Sequence, residues 1–175
     1  VGPLEAILEL NRQLEPYKGK GKFLPFEKLM DLFEQYPVLV GCGHPYRAPG
    51  HVPELPLEQL KRLNFLDLNG KDMALDRERT QRLTYDLGQT LDIPVVSGSD
   101  THQAVQYGCI ATCFEGTFDT VEEMHREMLA GRYEIQLADS AAFQVRTACL
   151  LKRSLKEIYA LGGDYVAVLT KAVSA

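Results

Sequence analysis

Apolar positions along this chain switch repeatedly between helical and extended spacing. Leu4, Ile7, Leu8, Leu10 and Leu14 recur at three- and four-residue intervals and predict a helix over 4–15. Leu29, Met30, Leu32 and Phe33 stripe a second helix from Phe26 to about Gln35. The run from Val38 to Gly43 reads as a strand that ends at His44. A loop carrying Pro45, Pro49, Pro53 and Pro56 follows, then a short helix over 57–63. Phe65-Leu66-Asp67-Leu68 alternates as a strand would, and Asn69-Gly70 marks a turn. A helix over 75–91 carries Arg and Glu on its outer face and leads into a strand over 93–97. Further strands are predicted over 109–114 and 133–137, separated by a helix from about Thr120 to near Gly131. A long terminal helix over 141–162 completes the pattern. The alternation predicts an α/β class with parallel pairing and one domain over 1–175.

Composition narrows the possibilities. A chain of 175 residues with 45% hydrophobic content can fill one real core. A net charge of −5 argues against a general nucleic-acid-binding surface, and no apolar run approaches the roughly 18 residues of a membrane span. Val1-Gly2-Pro3-Leu4 has no signal-peptide pattern, so Cys42, Cys109, Cys113 and Cys149 read as reduced, buried thiols of a cytoplasmic protein. Cys109 and Cys113 resemble half of a zinc site, but no second pair completes four ligands, and they read as core. The chain starts without Met, as a fragment or a processed product would.

The chemistry concentrates after two strands. Gly98-Ser99-Asp100-Thr101-His102 follows the apolar run Ile93–Val96, and Asp-x-His at a strand end projects a carboxylate and an imidazole to one side. Both are ligands for borderline metals, which turn bound water into a nucleophile near neutral pH. His44 ends the earlier strand in the same manner, although alone it reads as an ordinary loop histidine. Arg47 suits either a fork to phosphate or a solvated surface position. Tyr46, Tyr107 and Gln103 flank these residues as pocket-lining candidates; His51 could support ligands from behind, and His125 reads as solvated on a charged helix. The Lys18-Gly19-Lys20-Gly21-Lys22 loop lacks the spacing and hydroxyl of a P-loop and reads as a solvated connection. Ser97 and Ser99 lack the nucleophile elbow Gly-x-Ser-x-Gly.

Gly43-His44-Pro45-Tyr46-Arg47, Asp67-Leu68-Asn69-Gly70 and Val95-Val96-Ser97-Gly98-Ser99-Asp100-Thr101-His102 resemble, in that order, the later motifs of the PHP (polymerase and histidinol phosphatase) domain. Leu129-Ala130-Gly131-Arg132 resembles the family's ending, and the likeness covers roughly residues 26 to 135. The resemblance implies the C-terminal part of a distorted (β/α)7 barrel, two or three divalent ions (Mn, Zn or Fe) and phosphoester hydrolysis. It implies that Asp100 binds the first metal, His44 the second and His102 the third. Arg47 and Asn69 become candidate substrate ligands for a phosphorylated small molecule or nucleotide.

The family's opening His-x-His pair has no counterpart here, and about five strand candidates are too few to close such a barrel. The expectation is therefore the second half of such a domain. An N-terminal segment or an oligomeric partner would complete it, and these ligands, matched to three different metals, would bind an ion weakly alone. A catalytically degenerate scaffold or interaction module, docking through the helix 141–161, is the alternative from another class. A metal-dependent hydrolase of a C–N bond is a third reading.

Overall fold

The computed structural model describes residues 1–48, 50 and 52–163. Three helices start directly after a proline whose φ is near −55°: α1 (Leu4–Leu14) after Pro3, α2 (Phe26–Phe33) after Pro25 and, further on, Leu57–Leu60 after Pro56. The ring presets the backbone entering the first turn. In chain order the other elements are β1 (Gly41–Cys42), α3 (Leu57–Leu60), β2 (Phe65–Asp67), α4 (Gly70–Leu75), α5 (Arg77–Leu91), β3 (Val95–Val96), β4 (Ile110–Phe114), α6 (Val121–Leu129), β5 (Tyr133–Leu137) and α7 (Ala141–Ala160).

These strands form two sheets. β1, β2 and β3 make a three-stranded parallel sheet with β2 in the centre. β4 and β5 pair antiparallel as a separate two-stranded sheet, with Phe114 opposite Tyr133 and Ile110 opposite Leu137. The segment containing α6 leaves β4 and re-enters β5 at the same end, so it is an excursion and needs no crossover. Its helix is held by a capping box between Thr120 and Glu123.

The expected part of a distorted (β/α)7 barrel is therefore corrected. The described residues form a small α/β fold whose parallel sheet has only three strands, and parallel pairing does not extend through the chain. The two sheets meet through side chains instead of a shared ladder. Thr112 Oγ1 accepts the Ser97 N–H at 2.8 Å, and Tyr133 Oη donates to the Val95 carbonyl at 2.8 Å. A side-chain oxygen thus takes the backbone donor that a neighbouring strand would have satisfied.

The core gathers Cys42, Leu66, Leu68, Met73, Val95, Ile110 and Val145, with Leu87 and Leu91 brought in by α5. Leu66 on the central strand is fully buried. α5 crosses the sheet closely at Gly88: a Cβ there would stand 2.7 Å from Val95 Cγ2 and 3.2 Å from the Ile93 carbonyl oxygen. Gly88→Ala should therefore destabilise the fold in urea denaturation, because overpacking costs about 1–3 kcal/mol against a helix-propensity gain of about 1. Equal or higher stability would show that helix and sheet can separate freely. Among the described residues, no helix is long and apolar enough to cross a membrane.

Candidate functional site

All three parallel strands deliver polar side chains at their carboxyl ends, the rim where open α/β sheets bind ligands. The loop after β1 carries His44 and Arg47. β2 ends in Asp67 and continues to Asn69 and, in the first turn of α4, Asp72. The loop after β3 carries Asp100 and His102. Asn69 is the N-cap of α4 and accepts the backbone N–H groups of Lys71 and Asp72. The expected Asn-Gly turn is thus the start of α4, a helix the sequence pattern did not predict, and the helix predicted over 75–91 is α5, which begins after Asp76.

Arg47 is the hub of the cluster. Its Nε donates to Asp72 Oδ1 at 2.9 Å, its Nη1 to Asp100 Oδ2 at 2.9 Å and its Nη2 to Asn69 Oδ1 at 2.5 Å. The side chains of Arg47, Asp72 and Asp100 are only 23%, 21% and 18% exposed, so these charge-assisted bonds are shielded from bulk water. Asp67 joins β2 to the β3 loop: Oδ1 accepts the Gly98 N–H at 2.8 Å and Oδ2 accepts the Asn69 side-chain amide at 3.0 Å. Buried Gln106 secures the same loop, donating to the Ser99 and Asp100 carbonyls at 2.7 and 2.8 Å.

Two residues at this rim adopt left-handed backbone. His44 has φ 43° and Asp100 φ 51°. His and Asp tolerate that region better than most residues, yet each such position costs about 1–3 kcal/mol, and such strain gathers at functional sites.

Neighbouring carboxyls titrate in opposite directions. Burial pushes Asp67 up, and the Asp100 charge adds to this, while bonds from Asn69 and Gly98 hold it back. Burial alone would also raise Asp100. Its hydrogen bond to Arg47, the guanidinium charge and the nearby His102 and His44 outweigh burial and leave it below the ordinary carboxylate value. Buried Cys42 is pushed up to about 11, which keeps it a thiol.

The expected site residues separate into joined and unjoined. Asp100, Arg47 and Asn69 share one hydrogen-bonded network. His102 stands beside it, Nε2 lying 3.6 Å from Asp100 Oδ1, and its side chain is half exposed. His44 is exposed on its loop and lines a cavity of about 300 Å³ with Tyr46, Arg47, Asp67, Arg79 and Thr84. Tyr107 points to solvent, whereas Gln103 lines a different groove with Lys152 and Tyr159 of α7. His125 is half-buried on α6, and His51 lies outside the described residues. Cys109 is buried and Cys113 half-buried, and all four cysteines are free.

The types of donor suit Mn, Zn or Fe, but their number does not. Among the described residues no group of three or more His, Cys, Asp or Glu side chains could hold a metal ion. These residues do not make a metal centre by themselves. Sequence reasoning passed over Asp67 as a functional residue, and Asp72 and Gln106 altogether. Asp67 and Asn69 stand two apart at a strand end, a spacing that signals one shared face. Asp72 and Gln106 carry no local signal, since only folding brings them to Arg47 and to the Asp100 loop.

No protein-family model matches the chain, and no curated protein matches it. Among solved structures it is similar to the crystal structure of PsfC from Pseudomonas syringae PB-5123, with 24% identity and a TM-score of 0.62. The match covers 87% of this chain and 59% of PsfC, so the chain spans under two thirds of that protein's length. At this identity the likeness concerns the fold alone.

Proposed function

We propose that this chain carries the strand-end face of a metal-dependent phosphoesterase of the PHP type. Its substrate is a phosphorylated small molecule or nucleotide. His44, Asp100 and His102 are the metal ligands that these residues contribute, and donors from outside the described residues complete the set. One observation supports this reading above the rest: three separate segments, each resembling a motif of that family, end at the same rim, and Arg47 and Asp67 link them. In this reading Arg47 meets the substrate phosphate. Asn69, which is buried, acts on substrate through the guanidinium it orients. The adjoining cavity of about 300 Å³ suits a small organic group. Four free cysteines suit a reducing compartment, so we place the protein in the cytoplasm.

The reading is tested by stripping the full-length protein with a chelator and assaying phosphate release from p-nitrophenyl phosphate and a panel of phosphomonoesters. Hydrolysis restored by Mn, Zn or Fe is expected. A second reading is the interaction module without catalysis, docking through α7, on which Phe143, Leu150 and Leu151 are exposed. It takes precedence if no metal restores turnover and the purified protein retains no metal.

A further inference from the structure

The cavity beside Arg47 has a second wall, the flank of α5 that carries Arg79, Thr80 and Thr84. Thr84 is only 1% exposed, yet its hydroxyl has no hydrogen-bond partner among the described residues. Thr90 on the same helix turns its hydroxyl back to the Asp86 carbonyl at 2.8 Å, and Thr84 makes no such bond. No fully enclosed side-chain N or O atom among the described residues lacks a partner, so the Thr84 oxygen opens into the cavity that it lines. A buried hydroxyl in that position is set for a ligand, because leaving it unpaired is costly.

The cations of the cavity are uncommitted too. Arg79 is exposed, and among the described residues its guanidinium makes no hydrogen bond or ion pair; only its backbone N–H is capped, by Asp76 Oδ1 at 3.3 Å. Arg47 gives three of its five N–H groups to Asp72, Asp100 and Asn69, which leaves two. The lining carboxylates, by contrast, are engaged. Asp72 holds Arg47, Asp67 accepts from Gly98 and Asn69, and Asp76 caps α5. Donors therefore outnumber acceptors that are still available, and the cavity favours an acidic ligand.

We propose that this cavity is the subsite for the alcohol part of the substrate, where Arg79 binds an acidic group and Thr84 donates to one of its oxygens. This rests on the reading that Arg47 meets the phosphate. The substrate class is then a small phosphoester of a hydroxy acid, with its phosphate at Arg47 and its carboxylate at Arg79. A volume of about 300 Å³ suits so compact a molecule.

Calorimetric titration of the full-length protein tests the subsite with two probes, 3-phosphoglycerate and glycerol 3-phosphate. They differ only in a carboxylate against a hydroxymethyl group. The wild type is expected to bind the acid about tenfold more tightly. Arg79→Gln should erase that preference, and Arg79→Lys, which keeps the charge without the fork, should retain part of it. Both variants should fold, since the cap on α5 uses the backbone of residue 79. Thr84→Val keeps the shape and removes the hydroxyl. It should weaken binding of the acid about fivefold and leave the melting temperature of the unliganded protein equal or higher, because no internal bond is lost. Equal affinity for the two probes, or a preference that survives Arg79→Gln, overturns this inference and leaves phosphate binding at Arg47 standing. Binding of neither probe overturns both. A lower melting temperature for Thr84→Val shows the hydroxyl to be held internally and removes it from the subsite.

Discussion

Asp100→Asn in the full-length protein should lower metal-dependent phosphoester hydrolysis by about a hundredfold or more while leaving the fold intact. Replacing even the partners that orient metal ligands costs about 10–100-fold, so losing a ligand's charge costs at least that. Asparagine is chosen because it accepts the left-handed backbone at φ 51° and keeps an oxygen for Arg47. The stability lost is the charge-assisted part of one hydrogen bond, about 1 kcal/mol. A domain stable by about 5–15 kcal/mol tolerates that. Circular dichroism and urea denaturation check the fold, and steady-state kinetics check the activity. His102→Ala, at a half-exposed position, should act in the same direction with a smaller structural cost. A doubly substituted protein that still hydrolyses the ester at the wild-type rate would defeat the phosphoesterase assignment.

Removing Arg47 should have the opposite balance, with a large effect on stability. Arg47→Gln leaves Asp72 and Asp100 without their shared cation and takes a donor from Asn69. Breaking a fully buried pair costs about 3–5 kcal/mol, and the partial exposure here reduces the expectation to about 2–3 kcal/mol at pH 7. The pH dependence tests the cause. In the wild type the Asp100 carboxyl is lowered, so it contributes stability that is present above its unfolded value of about 3.9 and lost as pH falls through the folded value. Without Arg47, burial is opposed only by His102 and His44, and the Asp100 carboxyl moves up. Its charge then becomes a cost near neutrality, as Asp67's is already, and acid relieves it. The gap between wild type and Arg47→Gln should accordingly narrow from pH 7 to pH 4 in urea melts. A gap of constant size would show that Asp100 is not coupled to Arg47.

Much of the helical framework was legible because its signals are local. The apolar spacing of α1, the stop at Gly131 and the long stripe of α7 each lie within a few turns of one segment, and the observed bounds follow them closely. The strands β4 and β5 were equally plain, β5 from its alternation. Asn69-Gly70 misled because Asn before Gly suits a turn and a helix N-cap alike, and the backbone donors of Lys71 and Asp72 decided for the cap.

The amino-acid sequence by itself determined the α/β composition and the placement of His44, Arg47, Asn69, Asp100 and His102 near strand ends, because hydrophobic periodicity and turn chemistry are properties of neighbouring residues. Tertiary structure alone decided the pairing. Whether β5 runs parallel or antiparallel to β4 depends on which end of β4 the α6 segment returns to, and no residue in either strand encodes that. It also decided the company that the polar residues keep. Arg47 lies 25 residues from Asp72 and 53 from Asp100, and their bonds exist only because a parallel sheet brings the carboxyl ends of its strands to one rim.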